Sequence, residues 1–185
     1  PDPRYLFMSE RHREAMAHLL FGTEEGGGFV QLTGEVGTGK TTICRAFLEE
    51  LPESVDVALL LSPPESPRDL ILAIAAELQL SLPSRVVPTA ELVTLLNRRL
   101  LETHAAGRRT VVIIDEAQNI LPEVLEQVRL LTNLETATQK LLQVFLIGQP
   151  ELRGKLQHPS LRQVAQRITA RYHLEPLNLS ETESY

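Results

Sequence analysis

Apolar positions along the chain alternate between two patterns, helical stripes and short continuous runs. Residues 28–33 (Gly-Phe-Val-Gln-Leu-Thr), 55–61 (Val-Asp-Val-Ala-Leu-Leu-Leu), 110–114 and 141–147 are short and strongly apolar. Runs of this length read as strands, and near-continuous ones as strands buried on both faces. Between them the apolar residues fall three and four apart. Ala15, Met16, Leu19 and Leu20 predict a helix from a Ser9 cap to about Phe21. Ile43, Ala46, Phe47 and Leu51 predict one over 41–51. Leu70, Ile71, Ile74 and Leu78 predict one over 68–80, and Leu92, Leu95, Leu96 and Leu100 one over 89–105, ended by Gly107. Pro122 opens a helix to about Leu134, where proline suits the first position. Two short helical stretches, 151–157 and 160–169, precede an expected fifth strand at 171–174. Residues 1–7 read as extended, and 24–28, 62–67 and 81–88 as turns or loops.

Strands that alternate with helices form a parallel sheet with helices on both faces, an α/β fold of five strands. In such sheets ligands bind beyond the carboxyl ends of the strands. The segment Gly34-Glu35-Val36-Gly37-Thr38-Gly39-Lys40-Thr41-Thr42 lies at one of these ends, between a predicted strand and a predicted helix. Its pattern, G-x-x-x-x-G-K-[ST], is a phosphate-binding loop. Glycines let successive N–H groups point at one anion, and the following helix adds its positive end. Lys40 is placed for the β- and γ-phosphates, and the Thr41 hydroxyl for Mg²⁺. The plainer alternative is a Gly-rich turn with no ligand.

Roughly 75 residues further on, the strand 110–114 ends in Asp115-Glu116. An Asp there holds the Mg²⁺ shell in phosphate-loop enzymes, and the following Glu116 can polarise an attacking water. Both acids also suit the start of a helix. Gln149, past the strand 141–147, either contacts the γ-phosphate or the water, or is a loop residue satisfied by backbone. Arg162, Arg167 and Arg171 precede or open the last strand. They are either solvated helix residues or a source of positive charge delivered to a neighbouring subunit's phosphate.

Composition narrows this picture. The chain has 185 residues, 43% hydrophobic and 23% charged, with a net charge of −6, enough for one well-packed domain. The acidic balance argues against a broad nucleic-acid surface, although Arg98, Arg99, Arg108 and Arg109 make a local basic cluster. The single cysteine, Cys44, points to a reducing compartment and reads as a small buried residue. No run of about 20 apolar residues and no signal peptide is present, so no membrane contact is expected. The chain starts at Pro1 without Met and stops in Ser180-Glu181-Thr182-Glu183-Ser184-Tyr185, which resembles a helix just beginning. A piece of a longer protein is expected.

Loop, Asp-Glu strand end, polar strand end and terminal arginines, in this order, resemble the RecA-like P-loop NTPase core of AAA+ ATPases. The resemblance divides the chain into an N-terminal segment and helix (1–27), a nucleotide-binding core (28–176) and the start of a truncated helical lid (177–185). Within that group the runs Phe-Met-Ser-Glu-Arg-His-Arg-Glu-Ala (7–15), Leu-Leu-Thr-Asn-Leu-Glu (130–135) and Ile-Gly-Gln-Pro-Glu-Leu (147–152) resemble the general secretion pathway protein A family. The stretches 32–42, 115–119 and 166–174 carry the same likeness. These are bacterial ATPases of type II secretion and related envelope systems.

The resemblance implies ATP and Mg²⁺ as cofactors and a homo-oligomeric ring in which one subunit's arginine completes its neighbour's site. By position Arg167 matches that finger best and Arg171 second. Gln149 stands where many AAA+ proteins carry Asn or Thr as first sensor. The family further implies a secretion or envelope-assembly partner, and a cytoplasmic ATPase tethered to the inner membrane through a later region. The competing reading is a DNA-handling AAA+ protein of transposition or initiator type, which the two helices between the second and third strands also resemble.

Overall fold

The computed structural model describes residues 10–24 and 27–176. The expected extended start at 1–7, the Ser9 cap, part of the Gly-rich turn and the onset of a lid helix lie outside the described residues. Five parallel strands, β1 (Gly28–Gly34), β2 (Val55–Leu60), β3 (Arg109–Ile114), β4 (Gln143–Gly148) and β5 (Ile168–Leu174), form one sheet in the order β2-β3-β4-β1-β5. Among the described residues seven α-helices pack on it: α1 (Glu10–Glu24), which precedes β1, and α2 (Lys40–Glu50), α3 (Pro67–Glu77), α4 (Thr89–Ala105), α5 (Pro122–Leu131), α6 (Glu151–Leu156) and α7 (Arg162–Ala165), which lie between strands.

The continuous apolar runs are explained by two cores, one on each face. Val111 and Ile113 of β3, with Phe145 and Ile147 of β4 and Val30 and Leu32 of β1, face α1 and α2. The alternate residues, Val112, Ile114, Val144 and Leu146, face α3 to α7. Successive side chains of a strand point to opposite faces, so a strand covered on both sides has no polar face. Phe47 of α2 is fully buried against Phe145 of β4, ring centroids 5.1 Å apart. That contact seats the helix that leaves the phosphate loop. Removing such a ring costs about 3–5 kcal/mol.

Several element boundaries differ from expectation, among them β4, which runs Gln143–Gly148, and the end of α3 at Glu77. Helix α3 starts at Pro67, because Ser66 caps it by accepting from the Asp69 N–H at 3.1 Å. Helix α5 stops at Leu131. The chain then turns through Asn133 and Leu134, which donate to Leu130 and Leu131, into a Glu135–Lys140 bridge. The stretch 160–169 is not one helix. A 3-10 turn at Pro159–Leu161 and the four-residue α7 are followed by a turn, and the strand begins at Ile168. Pairing decides this: Phe29 N–H donates to Arg167 O at 2.9 Å, and Ile168 stands opposite Phe29. No helix among the described residues is long and apolar enough to cross a membrane.

Candidate functional site

The strand order brings the separate motifs together. Strand β4 lies between β1 and β3, with Thr33 beside Gly148 and Ile114 beside Leu146. Neighbouring strands are about 4.8 Å apart, so the ends of β1 and β3 are separated by roughly 10 Å. The loop after β1, Asp115 after β3 and Gln149 after β4 therefore share one edge of the sheet.

The loop closes on itself. Thr38 donates both its N–H (3.3 Å) and its hydroxyl (2.9 Å) to Glu35 O. Gly39 sits at φ 91°, in the left-handed region, immediately before α2. Lys40, 8% exposed, donates from Nζ to Gly34 O and Glu35 O, both at 2.8 Å. Its ammonium group is folded over the loop it belongs to. Gly34 and Thr38 are buried, Thr42 is half-buried, and Glu35, Val36, Gly37 and Thr41 are exposed.

Asp115 is buried, and its Oδ1 accepts from the Glu116 N–H at 2.8 Å. Burial pushes its carboxyl above the ordinary range, and the neighbouring Glu116 charge adds to this. The Glu116 N–H and the Lys40 charge act in the opposite direction. A buried carboxylate held this way is a hard oxygen donor short of positive charge, which suits a divalent cation. The Thr41 hydroxyl, exposed on the loop after β1, is a second oxygen group of the kind a divalent cation takes. Cys44, one turn into α2, is buried, and its thiol is pushed up to about 12, chiefly by burial and then by Asp115. It is an inert packing residue.

Glu116 adopts φ 51°, ψ 34°, a left-handed conformation rare outside glycine and asparagine, and a 3-10 turn over Ala117–Asn119 follows. Its carboxylate accepts from Gln118 Nε2. Gln149 N–H donates to Gln118 Oε1 at 3.0 Å.

The arginines are not on this edge. Arg167 precedes Ile168, level with the start of β1, whereas the phosphate loop follows the end of β1. Six strand steps, from Gly28 to Gly34, separate the two levels, about 20 Å, more than an arginine side chain spans. Arg171 lies within β5 and donates to Ala165 O at 2.9 Å. Arg162 is exposed on α7.

Two contacts at the site were not legible as functional. His12 of α1 is buried with Nε2 3.1 Å from Thr38 O. No local signal marks it, because the partner is a backbone carbonyl 26 residues away. Gln118 stands in the Asp-Glu-Ala-Gln run, and a polar residue two positions past a strand-end acid was the available hint.

A parallel sheet in this order, with a glycine-lysine loop after β1 and an Asp-Glu pair after β3, defines a P-loop α/β nucleotide-binding domain. The family described as AAA domain matches residues 23–156, and the chain belongs to that family. It is 56% identical over all 185 of its residues to general secretion pathway protein A of Aeromonas hydrophila, and it spans 34% of that protein's length. Among solved structures it is similar to the ORC2 protein of Aeropyrum pernix in its ADPNP-ADP complexes. There the TM-score is 0.68 at 18% identity, covering 94% of this chain and 48% of that one. It is also similar to Cdc6p of Pyrobaculum aerophilum, with TM-score 0.70 at 17% identity, covering 96% and 49%. At these identities the structural likeness concerns the fold.

Proposed function

We propose that the domain binds ATP with Mg²⁺ and hydrolyses it, and that hydrolysis powers or switches assembly of a bacterial secretion or envelope complex. The observation that carries the chemical half is the convergence of Lys40 and the buried Asp115 on one sheet edge, with Glu116 beside them. The 56% identity to general secretion pathway protein A carries the biological half. The solved ORC2 relative, with ADPNP and ADP, supports a nucleotide in this type of fold.

In this reading the N–H groups of 34–42 cradle the phosphates, and Lys40 leaves its two loop carbonyls for the β- and γ-phosphates. Thr41 and Asp115 are the residues that would hold Mg²⁺, whose positive charge would offset the negative charge of the phosphoryl oxygens. Glu116 orients the attacking water as general base, and Gln149 contacts the γ-phosphate from the end of β4. Arg167 acts on a neighbouring subunit's nucleotide in a ring, since its own loop is out of reach; Arg171 is already engaged with Ala165 O. The ATPase part is cytoplasmic and is tethered to the inner membrane by another region of the longer protein.

DNA handling is the less favoured reading. The basic cluster that kept it open is largely tied down: Arg108 and Arg99 pair with Asp56, and Arg109 donates to Thr23 O.

The test is Mg²⁺-dependent ATP turnover by the wild type, Lys40→Ala and Glu116→Gln. Lys40→Ala is expected to weaken ATP binding by about 10- to 100-fold, the worth of a charged hydrogen bond. Glu116→Gln is expected to bind ATP normally without turning it over. Normal turnover by Glu116→Gln removes that residue from the mechanism. DNA binding that weakens steeply with salt would favour the second reading.

A further inference from the structure

We propose that Gln118 is the positioning residue for Glu116, and that it ties the carboxylate to the strand end carrying Gln149. The inference rests on the hydrolytic reading above.

One side-chain amide here serves two masters. Gln118 Nε2 donates to Glu116 Oε2, while its Oε1 accepts from the Gln149 N–H at 3.0 Å. The backbone N–H cannot accept, so the oxygen of the amide must face Gln149. That leaves the NH₂ group, and only that group, facing Glu116. The orientation of the donor to the base is thus dictated by the last peptide of β4.

The surroundings hold Gln118 in place. Gly148 is buried at the end of β4, and a side chain there would put its Cβ 2.6 Å from Gln118 Oε1 and 3.1 Å from Gln118 N. The absence of a Cβ lets the amide lie across the strand end. From the other side Lys155 of α6 donates to Gln118 O, and to Ile120 O at 2.8 Å. The 3-10 turn is therefore clamped between β4 and α6.

The Glu116 backbone is in a left-handed conformation costing on the order of 1–3 kcal/mol, held by its N–H on Asp115 Oδ1 and by the Asn119 N–H on its carbonyl; neither bond touches the carboxylate. Its carboxylate is aimed by Gln118. A shift of the β4 end, such as Gln149 engaging a γ-phosphate, moves the Gln118 amide and with it the base. Turnover is then sensitive to Gln118 although the residue reaches no phosphate.

The experiment compares the intact wild-type protein, Gln118→Glu, Gln118→Met and Glu116→Gln in steady-state ATP turnover, with Tm and ATP affinity measured in parallel. Gln118→Glu keeps the acceptor for Gln149 and turns the donor to Glu116 into a second, negatively charged oxygen. Gln118→Met keeps the length and removes both bonds without adding charge.

We expect kcat to fall about 10- to 100-fold in both variants, the range for a misplaced reacting group, with KM unchanged. In the Glu116→Gln background, adding Gln118→Met is expected to leave the residual rate as it was, because the residue to be positioned is gone. The Glu116→Gln/Gln118→Glu pair reverses the hydrogen bond and is expected to restore Tm without restoring turnover. A kcat within about twofold of wild type in Gln118→Met, with Glu116→Gln inactive, overturns this proposal alone. A rise in KM and a fall in Tm with kcat unchanged assigns Gln118 a purely structural role and overturns it as well. Normal turnover by Glu116→Gln overturns the underlying reading instead.

Discussion

His12 Nε2 lies 3.1 Å from the carbonyl oxygen of Thr38, so the first helix is fastened to the tip of the phosphate loop. A carbonyl only accepts, so the contact requires the proton on Nε2. The preceding residue, Arg11, donates to Pro176 O at 3.1 Å and pairs with Glu175 at 2.7 Å. Tyr172 O–H donates back to Arg11 O at 3.1 Å. Adjacent residues of α1 thus join the loop to the chain leaving β5.

Gly39 tests the loop side of this arrangement. It adopts φ 91°, and a Cβ there would sit 2.8 Å from His12 Nε2. Gly39→Ala is expected to cost about 1–2 kcal/mol from the left-handed backbone alone. That corresponds to a fall of roughly 2–8 °C in Tm for a domain of this size. ATP affinity falls with it. Adding His12→Ala relieves the clash but not the backbone, so the double variant recovers ATP affinity only in part. An unchanged Tm in Gly39→Ala contradicts the loop geometry.

Asp115→Asn is expected to raise the Tm of the nucleotide-free protein at neutral pH while abolishing stabilisation by ATP with Mg²⁺. Burial raises the Asp115 pKa above its ordinary value of 3.8. The folded state therefore binds this proton more tightly than the unfolded chain. Ionising Asp115 destabilises the fold: the cost is absent below the unfolded value, grows as pH rises through that interval, and is complete above the raised folded pKa. The wild-type minus Asp115→Asn difference in Tm should shrink as pH falls through that window. Mg²⁺ needs the ionised carboxylate, so its affinity should fall over the same range. Thermal melts across pH, with and without Mg²⁺-ATP, read both effects.

Arg167→Ala is expected to lower turnover and leave ATP affinity nearly intact, since the residue lies at the opposite end of the sheet from its own loop. The sharper measurement mixes two impaired proteins. Lys40→Ala subunits retain Arg167, and Arg167→Ala subunits retain Lys40. If the proposed ring forms, mixed assemblies contain interfaces with both, and part of the wild-type rate should return. No recovery in a mixture that assembles would refute a role across the interface.

The sequence by itself determined the phosphate loop, the Asp115-Glu116 strand end and the α/β class. Each is a local pattern: glycine spacing at a strand-to-helix turn, a buried apolar run, and a change of period from strand to helix. Local patterns survive because backbone geometry and burial act within a few residues. The last strand was legible only in part. Ile168–Leu174 begins earlier than its composition suggests, because pairing with Phe29 across the sheet, rather than propensity, sets its start. Only the tertiary structure decided that β3, β4 and β1 lie side by side, and hence that Asp115, Gln149 and Lys40 follow neighbouring strand ends on one edge of the sheet. The same holds for His12 on Thr38 and for the Gln118 amide between Glu116 and Gln149. These contacts join residues or backbone groups brought together by packing, and a carbonyl or an N–H leaves no mark in the sequence to say which distant side chain will reach it.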